Sequence, residues 1–133
     1  MNFRASFCDP FKPDIIELGE IEKNKILETF DKIPWADYLK KMKSANEKDI
    51  HYSPSLEIEN KTNKNGIVVS ALDGDEWYIF YKRPKLVKRF FGFYETMNND
   101  FTTEIHGQSG EDARECLIAL IDNNLKFLEE KIK

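Results

Sequence analysis

Two strand-like runs, Ile67–Leu72 and Trp77–Lys82, are joined by Asp73-Gly74-Asp75-Glu76, and both runs are apolar in both alternation phases. Acidic residues around a glycine between β-rich runs are a strong hairpin signal. In the second run Trp77, Ile79 and Tyr81 face one way while Tyr78 and Phe80 face the other. The stretch that follows repeats the pattern, with Phe90 and Tyr94 opposing Phe91 and Phe93, and in the first run Ile67 and Val69 oppose Val68 and Leu72. A strand with one wet face is apolar in one phase only. These middle strands therefore need cover on both sides, and a single helical layer supplies it on one. Burying each large side chain is worth roughly 1.5–3 kcal/mol, and monomers rarely leave large apolar patches wet. Three covers are open: the chain's own N-terminal arm or a helix, a curl of the sheet around its aromatics, or a second chain.

The rest of the chain is patterned around this sheet. A helical period covers the region from Ile21 to Lys32, with Ile26, Phe30 and Ile33 on one face, and Pro34 ends it. Trp35, Tyr38, Leu39, Met42 and Ala45 form the stripe of a second helix. At Ile50 the period changes to two. Ile50, Tyr52, Leu56 and Ile58 alternate with polar residues, and Pro54 places this strand at a sheet edge. After the central hairpin, Arg83-Pro84 reads as a turn and residues 86–94 as a strand, with Gly92 as a candidate bulge. Asn98-Asn99-Asp100 reads as a turn, followed by a last strand over 101–106. Ser109 is a good N-cap ahead of Glu111 and Asp112. Ala113, Cys116, Leu117, Leu120, Ile121, Leu128 and Ile132 then predict one long helix.

Short links force antiparallel neighbours. The expectation is an α+β fold: a five-stranded antiparallel meander with two N-terminal helices and one long C-terminal helix packed on it. A chain of 133 residues is the usual size of one domain, so residues 1–133 are read as a single α+β domain. Residues 1–13, with Pro10 and Pro13, are read as an irregular N-terminal arm whose Phe3, Phe7 and Phe11 pack onto it.

Charge is segregated. The run Lys82–Arg89 holds Lys82, Arg83, Lys85, Lys88 and Arg89 and no acid, while the other 125 residues hold 15 basic against 24 acidic residues, a net −9. An acidic chain disfavours broad nucleic-acid affinity, yet leaves room for one contact with an anionic partner. These five residues are the candidate anionic-partner patch. Two distant cysteines, Cys8 and Cys116, make neither a disulfide framework nor a zinc spacing. With no apolar run of signal-peptide or membrane-span length, the expected location is the cytoplasm.

Candidate chemistry is sparse. His51 and His106 lack companion ligands at metal spacing. His106-Gly107-Gln108-Ser109-Gly110 reads as a loop with an N-cap, rather than a phosphate nest or a nucleophile with its base. Glu57 and Glu59 share a strand face at a spacing that would suit paired carboxylates, though solvated glutamates are the plainer reading. No catalytic residue, cofactor or metal is assigned. The expected function is a small soluble protein-interaction module of the adaptor, chaperone or immunity-protein kind, without catalysis. It would bind a protein partner or a second copy through the sheet face. The alternative is a small-molecule-binding or enzymatic domain with an aromatic-lined cavity. A minor alternative is nucleic-acid binding through residues 82–89.

Overall fold

The computed structural model describes residues 2–89, 92 and 94–133. It is an α+β fold: a six-stranded antiparallel sheet with helices against one face. The elements are β1 (Phe3–Cys8), β2 (Ile16–Ile21), α1 (Ile26–Lys32), α2 (Trp35–Ser44), β3 (Ser55–Asn60), β4 (Asn65–Leu72), β5 (Glu76–Arg89), β6 (Tyr94–Gln108), α3 (Gly110–Ile121) and α4 (Leu125–Lys131). Across the sheet the order is β2-β1-β3-β4-β5-β6.

Six strands replace the expected five, and each difference has a local cause. Residues 1–13 are not an irregular arm, because β1 pairs with both β2 and β3. Phe3, Ala5 and Phe7 point into the core and Arg4, Ser6 and Cys8 alternate with them. A spacing of four is even, so Phe3 and Phe7 share a strand face as readily as a helix face. The small Ala5 between them hides the alternation. Gly19 takes a left-handed φ of +80° beside the β1–β2 register shift, a conformation that favours glycine. Pro10 and Pro13 lie in the loop that follows β1. Their carbonyls accept bonds from the His51 N–H at 2.7 Å and the Tyr52 hydroxyl at 2.6 Å.

The strand expected from Ile50 begins at Ser55 and is interior, not an edge. Pro54 stands one residue before it, where no ladder donor is needed, and its carbonyl accepts from Ala71 N–H at 3.0 Å. Arg83-Pro84 does not turn the chain. Lys82 faces Gly66 near the start of β4, so Pro84 falls where β5 is paired on one side only and where the β5–β6 register shifts. Asn98-Asn99-Asp100 is likewise absorbed within β6 opposite that shift. The two expected C-terminal strand pairs are thus one long hairpin. Gly92 belongs to its turn, with φ +86°, rather than to a bulge. Phe90, Phe91 and Phe93 lie outside the described residues.

The single C-terminal helix is two. Asn123 adopts φ +57°, its N–H bonding Leu120 O at 3.2 Å, and the Asn124 side chain accepts from Phe127 N–H to start α4. An Asn-Asn pair supplies both a tolerated left-handed residue and an N-cap. The expected hairpin at 73–75 is present, with Gly74 and Asp75 both at positive φ. So is the Ser109 cap: its hydroxyl oxygen accepts from Asp112 N–H while Asp112 accepts from Ser109 N–H.

The core lies between the helices and one sheet face. Leu56, Ile58, Ile67, Val69, Ile79 and Tyr81 meet Ile26 of α1, Cys116 and Leu117 of α3, and Leu128 of α4. At one end Trp35 stands edge-on to Trp77 at 4.9 Å between centroids, with Phe30 tilted against both. The Trp35 indole N–H bonds Phe30 O at 2.9 Å. A polar contact is drawn into this layer as well: the Tyr81 hydroxyl donates to Asn65 Oδ1 at 2.6 Å, and burial pushes its pKa up to about 12.

Candidate interaction surface

Alternation sends the other half of each strand to the opposite face. The strand registers align its side chains in rows. One row runs Ser6, Glu57, Val68, Phe80 and Glu104, flanked by Glu17 on β2. The next runs Arg4, Glu59, Gly66, Lys82 and Thr102. A third joins Cys8, Ser55, Ser70 and Tyr78, with the two serine hydroxyls 2.6 Å apart. Val68, Tyr78 and Phe80 are half-buried. The Tyr78 ring packs edge-on against His106 at 4.2 Å and against Phe80 at 6.4 Å.

Two depressions mark this face. One of about 220 Å³ is lined by Glu57, Gly66, Val68, Phe80, Lys82 and Thr102. The other, about 250 Å³, is lined by the side chains of Arg4, Ser6, Glu17, Glu57 and Glu59 together with Ala5. Arg4 lies 3.5 Å from Glu17 and Lys82 4.0 Å from Glu59. Glu57, between the depressions, accepts no hydrogen bond and joins no ion pair among the described residues. Its charge adds to burial in raising the Cys8 thiol above its ordinary pKa, so that thiol is held protonated.

The face continues along the hairpin. By alternation Lys82, Pro84, Leu86 and Lys88 share it, and Leu86 pairs directly with Met97 across β5–β6. Leu86 and Met97 are 56% and 54% exposed, among the few large hydrophobic side chains left open.

Of the five residues of the basic run, Lys82, Arg83 and Lys85 do not share one face. Alternation divides them between the faces. Arg83 turns to the helix side and is 4% exposed. Its Nε and Nη2 donate to the two Glu129 oxygens, both at 2.9 Å, and its Nη1 donates to Tyr81 O and Thr103 Oγ1. The Tyr81 and Phe101 rings flank its guanidinium at 4.2 and 4.8 Å. Lys85 joins the same carboxylate at 3.7 Å. The Arg83 hydrogen bonds hold Glu129 below the usual carboxylate range. Lys82 lies on the open face, Lys88 is exposed, and the Arg89 side chain lies outside what is described. No local sequence pattern links position 83 to position 129. A buried, bidentate arginine of this kind is invisible without the fold.

The other sequence candidates are dispersed. Glu57 and Glu59 do share a face, as the alternation predicts. His51 lies in a loop and His106 on the edge strand β6, 3.6 Å from Glu104. Ser109 hydrogen-bonds within its cap, its hydroxyl donating to Asp112. The Cys116 thiol is fully buried and pushed up to about 12 by that burial. Among the described residues no three His, Cys, Asp or Glu side chains gather as a metal site, and no helix is long and apolar enough to cross a membrane. The sequence matches no family model, and neither a curated protein nor a solved structure is significantly similar to it.

Proposed function

We propose that this protein is a non-catalytic interaction module whose open sheet face binds another protein. One observation carries the reading. Val68, Tyr78 and Phe80 form an apolar strip that stays half-buried, and the exposed Leu86–Met97 pair extends the strip along the hairpin. From Tyr78 to Leu86 the strip is roughly 26 Å long at ~3.3 Å per residue. That length suits a standard interface, which covers about 800 Å² on each partner. The dispersal of His51, His106, Ser109 and Cys116 favours binding over catalysis. A cytoplasmic setting fits the two unpaired thiols.

The test is a pull-down from native lysate with the wild-type chain and with Val68→Glu/Phe80→Glu. The wild type should retain a discrete protein that the variant loses while keeping its circular dichroism and melting temperature. A strictly monomeric wild type that captures nothing through this face would contradict the reading.

A further inference from the structure

We propose that the segment bound on the open face is cationic: an extended stretch of protein with a lysine or arginine two or three residues from an aliphatic or aromatic side chain. This rests on the interaction reading and adds the partner's chemistry to it. The two depressions are different in kind and share Glu57. The one floored by Gly66 and walled by Val68 and Phe80 is apolar and large enough for one hydrophobic side chain. Its neighbour offers Glu17, Glu57 and Glu59 against a single guanidinium, Arg4. Glu104 adds a further carboxylate in the row of Phe80. Arg4 and Lys82 are each already set against a carboxylate, whereas Glu57 has no partner among the described residues. A partner's cation would meet this uncompensated charge, and an acidic partner would be repelled by it.

Spacing gives the register. One depression spans β2, β1 and β3, the other β3 to β6, so their centres are about two and a half strand spacings, roughly 12 Å, apart. An extended chain covers that in about three to four residues, or two to three with the reach of an arginine. The apolar strip runs on to Leu86 and Met97, beyond the reach of a small amine, and this favours a polypeptide.

A random dodecapeptide phage library selected on the immobilised full chain tests this, with enriched peptides resynthesised and titrated calorimetrically. The expected peptides carry Lys or Arg two or three positions from Leu, Ile or Phe. Their affinity should fall at least about fivefold with Glu57→Gln, about tenfold or more with Glu57→Lys, and on raising salt from about 50 to about 500 mM. Gly66→Ala should also weaken binding without unfolding the chain, because its added methyl reaches into the apolar floor yet meets nothing closer than Ile58 O at 3.5 Å. Acidic or uncharged peptides, or affinities indifferent to Glu57→Lys, would overturn the cationic assignment. If such peptides were still lost with Phe80→Glu, the interaction reading would survive. A dimer in light scattering that Phe80→Glu dissociates would overturn it in favour of a second copy. Failure to enrich any peptide would also count against it, and a wild-type chain that captures nothing from lysate would remove both readings.

Discussion

The two faces of one sheet are built from alternate residues of the same strands, yet they are finished differently. On the helix side Ile58, Ile67, Val69 and Ile79 are fully buried, and the charge that enters, Arg83, is satisfied by Glu129, Tyr81 O and Thr103. On the open side Val68, Tyr78 and Phe80 are half-covered, and Glu57 has no hydrogen bond or ion pair among the described residues. Hydrophobicity alone does not separate the faces, since Phe80 is as apolar as anything in the core. What separates them is the helices. All four contribute side chains to, or pack against, the core on one side. The first face is thus a stability device, and the second carries apolar surface that intramolecular packing leaves unused.

That difference is sharpest between neighbours. Ile79→Ala should cost about 3–4 kcal/mol in chemical denaturation, the usual cost of truncating a fully buried aliphatic side chain. Phe80→Ala, one residue away, should cost no more than about 1.5 kcal/mol, because its ring never fully leaves water. Equal costs would mean that the open face is covered in the free protein.

The Arg83–Glu129 pair gives the next effect. Glu129→Ala leaves a guanidinium buried with two of its donors unpartnered and should cost about 2–3 kcal/mol. Adding Arg83→Met should recover part of that loss, since a buried apolar side chain needs no partner. If the double variant were less stable than Glu129→Ala, the pair would matter as packing rather than as charge.

The same pair sets a pH response. Glu129 is held low chiefly by hydrogen bonds from Arg83, and Asp112 by the Ser109 N–H. Carboxylates depressed in the fold add stability above their unfolded pKa, near 4, and lose it as pH falls through the lower folded value. Urea midpoints should therefore drop on acidification below about pH 4, and drop less in Glu129→Gln and Asp112→Asn. Smaller again is Ser109→Ala, which removes the α3 cap and should cost about 1 kcal/mol in a thermal or urea melt.

Much of this architecture is legible in the sequence, and what is not has physical reasons. The starts of α2 and α3, the 73–75 hairpin and the two-sided apolarity of the middle strands follow from spacing, because each is a local property, whereas the first helix, expected from Ile21, starts at Ile26 because Ile21 belongs to β2. The strand β1 is masked by Ala5, and the break before α4 by an apolar stripe that resumes in register at Leu128. Pro84 and Asn98-Asn99-Asp100 look like turns because a turn and a half-paired hairpin ribbon tolerate the same residues. The basic run is continuous in sequence, yet alternation sends Lys82 to the open face and Arg83 and Lys85 toward Glu129. A one-dimensional charge cluster becomes a patch only when its residues share a side. The acidic margin of the open face comes from β2, β3 and β6, which sequence proximity never brings together.

Photo-crosslinking from the centre of the open face asks directly whether that face is an interface. A benzoylphenylalanine placed at Phe80 keeps the aromatic character of the site, and one at the exposed Lys40 of α2 serves as the reference. Irradiated in native lysate, the Phe80 position should give a discrete higher-mass adduct with a second protein, and the Lys40 position should give none. No adduct from Phe80, or the same adducts from both positions, would contradict the account.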